Sequence, residues 1–72
     1  MFKYIIEIEG MKCSMCEAHI NDVVRKTVNC KKLKSSHKKN LTTFMSEDLI
    51  DEDYLKDAIE NIGYKVLSIK CE

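Results

Sequence analysis

Proline is absent from this 72-residue chain and glycine occurs only twice. Without proline, no helix is kinked by a pyrrolidine ring and no cis-prolyl bond is available to face a reactive side chain. Long apolar runs are missing as well, and nothing approaches the roughly 20 apolar residues of a membrane-spanning helix. The opening "MFKYIIEIEG" has neither a sustained apolar region nor a small-residue cleavage site. No secretory leader is read there, and the cytosol, where thiols stay reduced, is the expected compartment. Net charge is missing too, since 12 basic and 12 acidic residues cancel, which argues against nucleic acid as the main partner. The length allows one small domain over 1–72 and no substrate cleft between domains, so an enzyme is not expected.

The balance of charge conceals a split. Lys31, Lys32, Lys34, Lys38 and Lys39 make the middle of the chain basic, and Glu47, Asp48, Asp51, Glu52, Asp53, Asp57 and Glu60 make the next segment acidic. Solvated faces are the simplest reading of such runs; a dipolar surface can also orient a protein partner during encounter.

Hydrophobic spacing gives the elements. Phe2, Tyr4, Ile6 and Ile8 alternate with charged residues and predict a strand with one buried face. From Cys16 the spacing changes to Ile20, Val23, Val24, Thr27 and Val28, an amphipathic helix of about three turns. Cys30, Leu33, Ser35 and His37 give a weak strand that reads as short or frayed, "KKN" a turn, and "LTTFMS" a further strand, together a hairpin. Asp51 then caps a helix whose apolar stripe is Leu55, Ala58, Ile59 and Ile62, Gly63 stops it, and "YKVLSIK" closes the order as a last strand. Strand, helix, strand, strand, helix, strand is the ferredoxin-like α+β arrangement, a four-stranded antiparallel sheet with two helices on one face.

Four cysteines stand out, two of them three positions apart in "GMKCSMC". Cys13 falls in the loop leaving the first strand and Cys16 at the start of the first helix. There the unpaired N–H groups and the positive end of the helix dipole favour a thiolate. Two sulfurs alone make a poor structural zinc site, because zinc prefers four ligands. Cu(I) is soft and suits thiolate ligands. An under-coordinated ion also leaves room for a partner's thiolate, so that it can pass by ligand exchange without being released.

"GMKCSMC" between a strand and a helix, with "AIENIGYKV" near the end, resembles the signature of the heavy-metal-associated domain family, and the resemblance covers almost the whole chain. It implies that Cys13 and Cys16 are the metal ligands and that Met11 is a buried brace for their loop. It places Tyr64 beside the metal, as in bacterial copper chaperones, where eukaryotic ones usually carry Lys. Zinc-exporting relatives often have Asp before the first cysteine; Lys12 stands there in this chain and cannot ligate while protonated. Cu(I) is therefore favoured, with Ag(I) as its mimic, although Zn(II), Cd(II) or Hg(II) can bind thiolates in vitro. The implied function is a soluble chaperone, monomeric when metal-free, that transfers one Cu(I) to the CxxC domain of a copper-transporting P-type ATPase without inserting into the membrane. A metal-bridged dimer through two CxxC loops is an alternative state. Lys12, Tyr64 and the basic hairpin would form the docking face.

Two other readings compete. A metal-binding segment of a heavy-metal ATPase, or a metal sensor, would use the same fold, although the opening Met and the stop soon after the last strand favour a free-standing protein. A thiol redox protein would also place CxxC at a helix start, but its thioredoxin-like element order differs and the facing cis-proline is lacking. Met15 and His19 are the nearest further donors; solvent exposure is the simpler expectation for both, and His37 needs no special role. The topology puts Cys30 and Cys71 at the end far from the CxxC loop, on opposite edges of the sheet roughly 14 Å apart, beyond disulfide reach. Cys30 reads as a small core residue and Cys71 as an exposed tail thiol.

Overall fold

Along the first strand, β1 (Phe2–Glu9), Tyr4, Ile6 and Ile8 are buried while Lys3, Glu7 and Glu9 stay in solvent. Alternation of this kind fixes one face of a sheet as the inner one. The computed structural model describes residues 1–72, and after β1 the chain forms α1 (Ser14–Thr27), β2 (Lys31–Ser36), β3 (Leu41–Ser46), α2 (Glu52–Glu60) and β4 (Lys65–Cys71). The strands make one sheet in the order β2-β3-β1-β4, with every neighbouring pair antiparallel. Ile20 and Val24 of α1 and Leu55 and Ile59 of α2 share a single buried cluster with Tyr4, Ile6, Ile8, Phe44 and Val66. Both helices thus cover the same face, and the expected βαββαβ arrangement is the one observed.

Tyr4 and Phe44 face each other across β1 and β3, their rings stacked at 5.3 Å and 14°, an aromatic contact that adds to their burial. The Tyr4 hydroxyl accepts the Ile50 N–H at 2.9 Å and so fixes the approach to α2. There Asp51 accepts the Tyr54 N–H as an N-cap, and Gly63 ends the helical segment at φ +100.

The boundaries differ from the sequence reading in three places. The first helix starts at Ser14 and runs 14 residues, about four turns instead of three, because the loop before it is shorter than the apolar spacing suggested. Ile62 is not part of the buried stripe but 42% exposed, since the helix has already ended at Glu60. The second strand is not frayed. Its pairing with β3 slips between Lys31 and Lys34, a β-bulge with Lys32 at φ +55.

Polar contacts replace the missing apolar ones at this edge strand. Ser35 donates to the Asn21 side-chain oxygen of α1 at 2.7 Å and lies 2.9 Å from the hydroxyl of buried Thr42 on β3. Since the single Ser35 proton is committed to Asn21, the Thr42 hydroxyl must be the donor to Ser35. The assignment gives unequal expectations for the two hydroxyls. Ser35→Ala strands a fully buried donor and is expected to cost about 1–3 kcal/mol in urea unfolding. Thr42→Val removes that donor and should cost less, and the double variant should be more stable than Ser35→Ala alone; a more damaging double variant would refute the assigned direction.

Candidate metal centre

Three connections meet where β1 ends. The first carries Gly10, Met11 and Lys12 from β1 to α1; the others are the β2–β3 turn and the segment from α2 to β4. Gly10 takes φ +106, a conformation that side chains resist, and the Tyr64 ring lies against it, 3.6 Å from where a Cβ would stand. Met11 turns inward and is only 3% exposed, joined to the core cluster. Between these two anchors and the helix there is no slack, so Cys13 becomes the N-cap residue and Cys16 falls in the first turn of α1.

An N-cap is usually Ser, Thr, Asp or Asn, whose oxygen satisfies a helix N–H. Cys13 makes no such side-chain bond. Its carbonyl accepts the Cys16 N–H at 3.1 Å and the Glu17 N–H at 3.3 Å, which leaves the exposed thiol with the Cys16 sulfur as its partner. The two sulfurs stand 3.7 Å apart as thiols. With metal–sulfur bonds of about 2.3 Å, a tetrahedral ion needs a separation of about 3.8 Å and a linear one up to about 4.6 Å. The observed spacing fits the first directly and reaches the second by a modest outward turn of exposed Cys13.

The surroundings favour the Cys16 thiolate, whose pKa is lowered to about 7. The largest cause is the Lys12 backbone N–H directed at the sulfur, and the Tyr64 hydroxyl and Cys13 add to it against the opposing effect of burial. Tyr64 is affected reciprocally: its own pKa is pushed up to about 12, first by its interaction with Cys16 and then by burial. It therefore stays protonated and can face a thiolate as a donor.

Tyr64 is thus brought beside Cys16, and Met11 beneath the loop. Lys12 is exposed, and the group it turns toward the sulfur is its backbone N–H. His19 is exposed, Met15 is 68% exposed, and no group of three or more His, Cys, Asp or Glu side chains gathers anywhere. Cys30 precedes β2 and Cys71 ends β4, on opposite edges of the sheet and away from the CxxC loop. Burial pushes the Cys30 thiol up, which makes it a poorer nucleophile and ligand.

One contact has no counterpart in the sequence reading. Glu17, next to Cys16, accepts both the His37 backbone N–H at 2.7 Å and, at 2.6 Å, the His37 Nδ1. His37 holds the Glu17 carboxyl below its usual range, chiefly through the backbone bond. The pair clamps the β2–β3 turn to the first turn of α1. The signal available in the sequence was positional: the topology brings that turn to the thiol end.

A titration follows from the Cys16 surroundings. Because the folded-state pKa is depressed, folding favours the thiolate; the stability it confers is present above the usual thiol range and is lost as pH falls through about 7. Alkylation of Cys16 by iodoacetamide, read by mass spectrometry of the Cys13→Ser variant, should rise with a midpoint below the usual thiol range, held there by the Lys12 N–H and the Tyr64 hydroxyl. Tyr64→Phe should move the midpoint upward; an unchanged midpoint would remove Tyr64 from the interaction.

No protein-family model matches the sequence, and no curated protein matches it significantly. Solved structures do match. The CopZ metallochaperone superposes with a TM-score of 0.79 at 23% identity over 90% of this chain and 98% of that one. A copper binding domain from HMA7, a P-type ATPase, gives 0.78 at 20% identity over 97% and 99%. The N-terminal domain of ZntA in its Zn(II) form gives 0.79 at 17% identity over 90% and 88%. The chain has the fold of these metal-binding domains, in agreement with the resemblance carried by its CxxC motif.

Proposed function

We propose that this chain is a cytosolic Cu(I) carrier, not an enzyme, that holds one ion between Cys13 and Cys16 and passes it to a CxxC domain of a copper-transporting P-type ATPase. The observation that carries the reading is the pair of thiols 3.7 Å apart at a helix start with no third protein ligand gathered around them. A site with four protein ligands would retain its ion as a structural element. Two thiolates supply enough affinity for a soft ion while leaving positions open to an incoming sulfur. Transfer then runs through a three-coordinate state in which the partner's thiolate binds before one of these leaves.

The surrounding residues fit that cycle. Cys16, with its lowered pKa, is the firmer ligand, and exposed Cys13 is the one that can swing toward a partner. Tyr64 covers the inner side of the loop and Met11 fixes its base. The CopZ and HMA7 likenesses support chaperone and ATPase as the two kinds of protein that share this exchange. The ZntA likeness favours zinc as a competing cargo; the absence of a carboxylate beside Cys13, where Lys12 and Ser14 stand, argues for the softer ion.

Anaerobic titration of the reduced protein with Cu(I) against a chromogenic chelator, with Zn(II) in parallel, is the test. One Cu(I) per chain is expected, with Zn(II) bound far more weakly. Cys13→Ser and Cys16→Ser should each weaken Cu(I) binding by more than about 100-fold, beyond the range usual for residues that only support a ligand. Unchanged affinity in either variant would refute the assignment. Weak copper binding together with a readily cycling Cys13–Cys16 disulfide would indicate redox use instead.

A further inference from the structure

The helices leave the other face of the sheet open, and its composition follows from the register. Lys3 pairs with Met45, Ile5 with Thr43 and Lys70, and Glu7 with Leu41 and Ser68, so all of these stand on the uncovered side. On the edge strand, Lys31 pairs with Met45 and Lys34 with Thr43. Strict alternation would send residues 31 and 34 to opposite faces. The bulge between them adds the residue that brings both to the open one, while Leu33 packs against the core and Ser35 is buried. It does so by holding Lys32 at φ +55, a conformation uncommon for a residue with a side chain.

Two shallow hollows lie on this half of the face. One, about 260 Å³, is lined by Lys3, Lys32, Thr43, Phe44 and Met45; the other, about 180 Å³, by Lys34, Ser36, Lys39, Leu41 and Thr43. Each has two exposed lysines and at least one hydroxyl, and Thr43 belongs to both. Lys31 is neutralised by Glu47 at 2.8 Å. The acids on the open face are Glu7, which accepts from the Ser68 hydroxyl of β4 at 3.4 Å, Glu9, which pairs with Lys65 of β4, and Glu72, which stands opposite Lys3. Lys32, Lys34 and Lys39 of the β2–β3 half therefore have no carboxylate among the residues lining the hollows, and Lys3, which stands beside Glu72, completes the basic rim.

We infer that this face adsorbs to a bilayer surface rich in anionic phospholipids, with headgroup phosphates seated in the two lysine-rimmed hollows. Three features favour lipid. The face carries no aromatic side chain on which a base could stack, because Phe2, Tyr4 and Phe44 all belong to the inner side. It carries no arginine, tyrosine or tryptophan of the kind that anchors protein interfaces, which are depleted in lysine. Its lysines rise from half-exposed aliphatic residues, Ile5, Leu41 and Met45, an arrangement that lets long stems lie on the surface while the ammonium groups reach phosphate. With the sheet lying on the bilayer, the CxxC loop sits at its rim and stays open to a partner, whatever ion it holds.

The test is cosedimentation of the full chain with phosphatidylglycerol–phosphatidylcholine vesicles and with pure phosphatidylcholine vesicles, at low and high salt. Binding is expected only to the anionic vesicles and should be released by salt. Lys32→Gly, which suits the φ +55 backbone and should leave thermal melting undiminished, together with Lys34→Gln and Lys39→Gln, should weaken partition about fivefold per lysine. Lys26→Gln and Lys56→Gln, exposed on the helices that cover the other face, should leave it within about twofold. No binding to anionic vesicles, or equal loss from both sets of variants, overturns the inference. Nuclear magnetic resonance shifts at Lys32, Lys34 and Thr43 on adding tripolyphosphate or a single-stranded oligonucleotide, without vesicle binding, would assign the face to a soluble polyanion and overturn it as well.

Discussion

The burial of Met11 is the constraint on which the thiol end depends. Between the last residue of β1 and the N-cap of α1 there are only Gly10, Met11 and Lys12. One side chain of the three is sunk in the core, and the residue before it is bent through a conformation open to glycine. A loop so short cannot choose where the helix starts. The start in turn decides that Cys13 replaces the usual oxygen cap, that the Lys12 N–H faces Cys16, and that Tyr64 has glycine rather than a side chain to lie against. Local backbone geometry and thiol acidity thus have one origin.

The opposite demand is met at the edge strand. A segment as polar as "KKLKSSHKK" cannot bury enough apolar surface to hold itself against α1 by hydrophobic contact alone. Directed bonds take over: Ser35 to Asn21, Thr42 to Ser35, and Glu17 to two donors of His37. Hydrogen bonds add modestly to stability but leave little freedom of placement. Polar composition here goes with a fixed position, and the turn beside the thiols is held by the same contacts.

The topology was legible in the sequence because its apolar residues keep clean periods. Tyr4, Ile6 and Ile8, then Ile20 and Val24, then Leu55 and Ile59 all fall where their spacing placed them. Errors came where side-chain pattern does not govern. Ile62 continued an apolar stripe past the end of its helix, and a bulge at Lys32 can be seen only once a partner strand supplies the register. In the candidate site the residue types were visible and the groups were not: a backbone N–H is common to every residue but proline, so nothing in "GMKC" could single out that of Lys12. His37 was unremarkable alone and became specific only when the fold set it against Glu17.

The backbone bonds between Lys3 and Glu72, at 3.0 and 2.7 Å, zip the two ends of the chain together beside one another. They do so at the start of β1, whereas the thiols follow its other end, some eight residues or about 27 Å of strand away. Any sequence joined to either end, be it a linker, a second copy or a larger protein, would leave from the pole opposite the sulfurs. The domain is in that sense built like a bead with its thread at one pole: units strung together would each keep their reactive tip outward, and tethering would raise the local concentration of sites without shielding any of them.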